Sequence, residues 1–90
     1  MLDCGEILDI TQIKQWHEAA ISKLGDVQAD VNIDVSALQK IDTAGIQELT
    51  AIVRHIESRG KKVIWSELSP AFINAATMLG LHATLGMKPL

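Results

Sequence analysis

Within a chain of 90 residues, helical hydrophobic periodicity runs into a glycine three times, at Leu24-Gly25, Arg59-Gly60 and Leu79-Gly80. A glycine just past a helix end takes the left-handed conformation without a Cβ clash, so each is a stop signal. Three such stops leave room for one domain over residues 1–90, built from three helices with short strands between them. In the first helix, about Ile10 to Leu24, the residues Ile10, Ile13, His17, Ala20, Ile21 and Leu24 recur at helical spacing. Asp9, with Gln12 three residues on, is its expected N-terminal cap. The second helix, about Ala44 to Arg59, has the stripe Ile46, Leu49, Ile52, Val53 and Ile56, with Gln47, Glu48, Arg54, Glu57 and Ser58 on its polar face. The third opens at Ser69-Pro70, a cap followed by proline at the first helical position, and carries Phe72, Ile73, Ala76 and Leu79.

Between the helices, Val31-Asn32-Ile33-Asp34-Val35-Ser36 alternates apolar and polar residues and is β-branched at its apolar positions, the mark of a strand with one buried face. Lys62 to Ser66 is a second strand and Leu2 to Gly5 a short one, and the tail adds a piece near Ala83 to Met87. Strands alternating with helices imply right-handed crossovers and largely parallel pairing. A parallel sheet covered on both faces has nearly continuous apolar strands. The alternation here sends Asn32 and Asp34 to the opposite face, so the expected fold is α/β with helices mainly on one face of the sheet.

Composition narrows the function. The net charge is −3 and no basic run exceeds Lys61-Lys62. Nucleic-acid binders concentrate positive charge to displace counterions, so neither nucleic acid nor an anionic membrane surface is an expected partner. Cys4 is the one cysteine, which rules out an intrachain disulfide or a cysteine metal cluster. It is expected to be a small buried apolar residue, not a nucleophile. Met1 to Glu6 has neither a basic n-region nor an apolar run, so it does not resemble a signal peptide. No segment approaches the roughly 18 apolar residues of a membrane span. The expectation is a soluble, cytoplasmic chain without direct membrane insertion, monomeric or weakly homodimeric.

In a sheet of this kind functional groups gather at the carboxyl ends of the strands. The turns there carry Glu6 and Asp9, then Ser36, Asp42, Thr43 and Gly45, then Glu67 and Ser69. The chain has no glycine-rich dinucleotide turn, no phosphate loop and no Cys-x-x-Cys pair. His17, His55 and His82 are expected in structural roles. The acidic groups could hold Mg²⁺ with phosphates only if a phosphate cradle accompanied them, and none does. The expectation is therefore a binding protein, not an enzyme, with no cofactor and no metal. Thr43 stands out at a helix start. Local chemistry leaves two readings open. Asp42 or Thr43 caps the helix, or Thr43 is phosphorylated. A phosphate adds about −1.5 to −2 charges, which the helix N-terminus would tolerate and Asp42 would repel.

Over almost its whole length the chain resembles the STAS domain family of bacterial anti-sigma-factor antagonists. Gly5-Glu6-Ile7-Leu8-Asp9 is similar to the family's Gly-Glu-Leu-Asp turn with one extra apolar residue, and Asn32 to Ser36 to its strand ending in Asp-Leu-Ser. Ile41-Asp42-Thr43-Ala44-Gly45-Ile46 is similar to its Asp-Ser-Ser/Thr-Gly-Leu signature, and Gly60 to Val63, Ser69-Pro70 and Leu79-Gly80-Leu81 match the later part. The resemblance implies a mostly parallel sheet of about three to five strands and partner binding through the edge around the second helix. It makes Thr43 the phospho-acceptor of a partner serine/threonine kinase, often the anti-sigma factor itself. Asp9, Asp34 and Asp42 frame that site, with Ala44, Gly45, Gln47 and Glu48 in the binding edge. The chain departs from the family in having Thr at the acceptor position and Ala44 next to it, and in a short N-terminus that implies an exposed sheet edge. Threonine also occurs in the small STAS subunit of lipid-trafficking ABC transporters, which contacts the ATPase. That resemblance implies an ABC transporter ATPase as the alternative partner.

Overall fold

A computed structural model describes residues 2–78 of the chain. The expected tail strand near Ala83 to Met87, the Leu79-Gly80 stop and His82 lie outside the described residues. In chain order the elements are β1 (Leu2–Asp3), β2 (Ile7–Leu8), α1 (Ile13–Leu24), β3 (Val31–Asp34), β4 (Lys40–Ile41), α2 (Thr43–Ser58), β5 (Val63–Trp65) and α3 (Pro70–Met78). A three-stranded sheet in the order β1-β3-β5 is parallel throughout, with Leu2 opposite Ile33 and Ile33 opposite Trp65. β2 and β4 form a separate parallel pair, with Leu8 opposite Ile41.

The alternation in β3 is realised as one covered and one open face. Leu2, Ile33 and Val35 are buried, whereas Asn32 and Ile64, opposite each other in register, are exposed. The core beneath the covered face is aliphatic, with Leu8, Ile33, Val35, Ile46, Leu49 and Ile56 at 0 % exposure. Phe72 of α3 is equally buried, its ring 5.1 Å from that of Trp65 in a tilted arrangement. Each such side chain stabilises the fold by about 1.5–3 kcal/mol relative to leaving it in water.

One local device recurs where strands end. The last residue of β1, Asp3, accepts the Gly5 N–H through Oδ1 at 2.8 Å. The last residue of β3, Asp34, accepts the Ser36 N–H at 2.9 Å, and Asp9, directly after β2, accepts the Thr11 N–H at 3.0 Å. A carboxylate bonded to the N–H two residues on imitates a backbone turn and competes with strand continuation.

That device corrects the reading of α1. The helix begins at Ile13, not Ile10, and its N-cap position is Gln12, without a side-chain cap bond. Asp9 closes the turn before the helix instead. Its side chain is taken by Thr11, and its carbonyl oxygen accepts the N–H groups of Gln12 and Ile13 at 2.9 and 3.1 Å. Ile10 thereby leaves the helix and stands 70 % exposed. The stop at Gly25 (φ 47°) follows expectation, its N–H donating to the Ile21 carbonyl at 3.1 Å. α2 ends at Ser58, and Gly60 (φ 75°) donates to Glu57 O at 2.9 Å.

Candidate functional site

The site at the start of α2 is built around a close approach. A Cβ on Gly45 would press into the Leu8 carbonyl oxygen and lie 2.7 Å from Ile41 Cγ1. Only glycine lets the first turn of α2 come this near to the β2–β4 pair. Asp42 precedes it in extended conformation (φ −110°, ψ −174°) and is the helix N-cap. Its Oδ1 accepts the Gly45 N–H at 2.9 Å. Its Oδ2 accepts the Ile10 N–H at 3.0 Å, across 32 residues of sequence. Asp42 therefore caps α2 and clamps the β2–α1 turn to it. The β2–β4 pairing sets Ile7 opposite Lys40, and Lys40 Nζ lies 3.5 Å from Asp9 Oδ2.

Several sequence-selected residues meet here. Asp9 and Asp42 are joined through the Asp9–Ile10–Thr11 turn, and Thr43 follows Asp42 with its side chain exposed. Gln47, one turn further, is exposed too, and Ala44 is half-buried. Gly45 is buried, so its part is to let the elements approach and not to touch a partner. The Glu48 carboxylate is 11 % exposed and pairs with His17 Nδ1 of α1. Asp34 belongs to the other sheet. It stands at the end of β3, where Ser36 N–H and Oγ both donate to its Oδ1. Sequence reasoning missed Ile7 and Ile10 as surface groups, 48 % and 70 % exposed beside this edge. The signal was present in Asp9-Ile10-Thr11, an Asx-turn sequence inside an apparent helical stripe.

Two of the carboxylates, Asp9 and Asp34, are held in their charged form. The Thr11 hydroxyl at 2.5 Å is the chief reason the Asp9 carboxyl sits below its usual range, helped by the Thr11 N–H and the Lys40 ammonium against partial burial. The Ser36 hydroxyl does the same for Asp34, followed by the Ser36 N–H, with a smaller part from the Ser66 hydroxyl. Burial, and then the charges of Asp3 and Asp34, push the Cys4 thiol up to about 12. That makes Cys4 a poor nucleophile at neutral pH. Among the described residues no cluster of His, Cys, Asp and Glu could hold a metal ion. No helix among them is long and apolar enough to cross a membrane.

A parallel α/β sheet, helices over one face, and a clamped helix N-terminus bearing an exposed hydroxyl define a small α/β module. The family model described as "Mlab, STAS domain" matches residues 1–87, and the chain belongs to the STAS domain family. Domains of this family are in general binding modules and not catalysts. Among curated proteins none matches the chain in sequence. Among solved structures, that of the murine Solute Carrier 26 family member A9 anion transporter in the inward-facing state is similar, with a TM-score of 0.73 and 18 % identity. The match covers 84 % of this chain and 13 % of the transporter chain, and at that identity it shows the fold alone.

Proposed function

We propose that this domain is non-enzymatic and binds a partner protein through the edge formed by the Asp9–Thr11 turn and the first turns of α2, with Thr43 as the residue on which binding turns. The observation that carries this reading is the pair of hydrogen bonds that the Asp42 carboxylate accepts, from Gly45 N–H and Ile10 N–H. It holds two separate segments as one preorganised surface with the Thr43 hydroxyl exposed on it, and a surface that is already ordered loses little entropy on binding.

The regulated form of this reading is a switch of the anti-sigma-factor antagonist type. A partner serine/threonine kinase phosphorylates Thr43, and the added charge beside Asp42 releases the complex. Exposure of Thr43 at a helix N-terminus supports it. The constitutive form is the small STAS subunit of a lipid-trafficking ABC transporter, touching its ATPase through Thr43. The Asp42 carboxylate directly before Thr43 favours this form, since a phosphate there meets like charge at short range.

The experiment is affinity capture of the partner with wild type, Thr43→Ala and Thr43→Glu, with mass spectrometry of Thr43 in the recovered chain. A switch keeps binding in Thr43→Ala, loses it in Thr43→Glu, and yields phosphothreonine. A constitutive subunit co-purifies with an ATPase, carries no phosphate and weakens in both variants. Equal binding by all three proteins contradicts both forms.

A further inference from the structure

Among the described residues β1 is an edge strand. β3 pairs with one side of it, and among the described residues no strand lies on the other. The Cys4 N–H donates to Asp34 O at 3.0 Å, so that group faces β3. Strand alternation then turns the N–H and C=O of Asp3 outward. Outward backbone groups on an edge are a template for any extended chain.

Two features close this edge. The strand stops after two residues, because the Asp3 carboxylate takes the Gly5 N–H and Gly5 turns to φ 64°. The second feature is a side chain from another element. Trp16 of α1 donates its indole Nε1–H to the Asp3 carbonyl oxygen at 3.1 Å, satisfying the acceptor that a new strand would need. Surface hollows lie along the same margin. One of about 440 Å³ is lined by Cys4, Gly5, Ile7 and Gln12 among others. A smaller one of about 50 Å³ lies along Leu2, Ala19, Ala20 and Lys23. A further hollow of about 560 Å³ shares Leu2 and Lys23 with it and lies beside Leu24 and Val27. Trp16 and Asp3 line both of the first two hollows.

We propose that Trp16 is a latch on the β1 edge. Its indole N–H occupies the outward Asp3 carbonyl oxygen, and so prevents the edge from pairing with the same edge of a second copy. This inference is independent of Thr43 and of the partner that binds there.

The test uses the purified chain with Trp16→Phe, which keeps a ring and deletes the donor, and Trp16→Ala, which also removes the ring from beside the strand. Amide exchange at Asp3 is followed by NMR over a hundredfold range of protein concentration, alongside sedimentation velocity. In wild type the Asp3 amide exchanges at a rate independent of concentration. In Trp16→Ala it slows at least tenfold at the highest concentration as a heavier species appears, and Trp16→Phe moves the same way by less. Circular dichroism identifies folded variants, and if Trp16→Ala is unfolded, Trp16→Phe decides. Wild-type protection that rises with concentration would overturn the proposal, as would a folded Trp16→Phe that behaves as wild type.

Discussion

α1 and α2 are both amphipathic helices ended by glycine signals, yet they are held in different ways. α2 buries Gly45, Ile46, Leu49, Ile52, Val53 and Ile56, whereas α1 buries Ala20 alone. α2 packs on α1, α3, β4 and β5, so its apolar stripe is enclosed from several sides. α1 lies at the margin, with Ile13, Trp16 and Leu24 half-buried against the core and Ile21 41 % exposed. Polar contacts supplement its thin apolar seam, the Trp16 indole on Asp3 and His17 on Glu48. Periodicity predicts that a helix has an inner face. Depth of burial depends on how many other elements the topology stacks around that face.

Substitutions along this contrast range from large to small effects. Gly45→Ala in α2 is expected to cost the most. Alanine gains about 1 kcal/mol of helix propensity over glycine. The new Cβ meets a backbone carbonyl that cannot rotate away, which puts the overpacking cost at the upper end of its usual range, about 3 kcal/mol. The clash wins, and urea unfolding shows a net loss of about 2 kcal/mol or an unfolded chain. Unchanged stability would mean that α2 is not pressed onto Leu8. Asp42→Ala comes next. Loss of the N-cap costs about 1 kcal/mol and loss of the bond to Ile10 N–H about 1 kcal/mol more. The same variant raises amide exchange at Ile10, which a cap-only role would leave alone.

Acid sharpens the comparison at the turns that Asp9 and Asp34 close. Asp9 and Asp34 are held below the usual carboxylate range, each chiefly by a serine or threonine hydroxyl. Their contribution is present above the unfolded value of about 3.9 and is lost as pH falls through the lower folded values. Asp9→Asn and Asp34→Asn are each expected to flatten the stability-versus-pH curve below about pH 4, seen in thermal melts across that range. The smallest effect is at the His17–Glu48 contact between α1 and α2. His17 is 48 % exposed, so Glu48→Gln costs at most about 1 kcal/mol by urea unfolding. A larger loss would show that α1 depends on this pair more than on its apolar seam.

Much of the fold was legible because its signals were long or chemically specific. The stripe from Ile46 to Ile56 marked α2, Ser69-Pro70 marked the start of α3, and the alternation in Val31–Asp34 marked both β3 and the open face. β2 and β4 escaped notice because two residues each, Ile7-Leu8 and Lys40-Ile41, carry no period. The start of α1 was misplaced because Asp9 can cap a helix or close a turn, and only the Thr11 hydroxyl and N–H decide between them. At the candidate site, Thr43 and Asp42 were readable from the helix start. The clamp from Asp42 to Ile10 was not, because no sequence rule pairs residues 32 apart.

The central claim is that the edge joining the Asp9–Thr11 turn to the start of α2 is where a partner binds. Hydrogen exchange of the domain, free and bound to the partner recovered by affinity capture, tests it most directly. Protection gained over residues 9–12 and 42–48, and lost in Thr43→Glu, is the predicted result. Protection confined to the open sheet face at Asn32 and Ile64, with the α2 start unchanged, would contradict it.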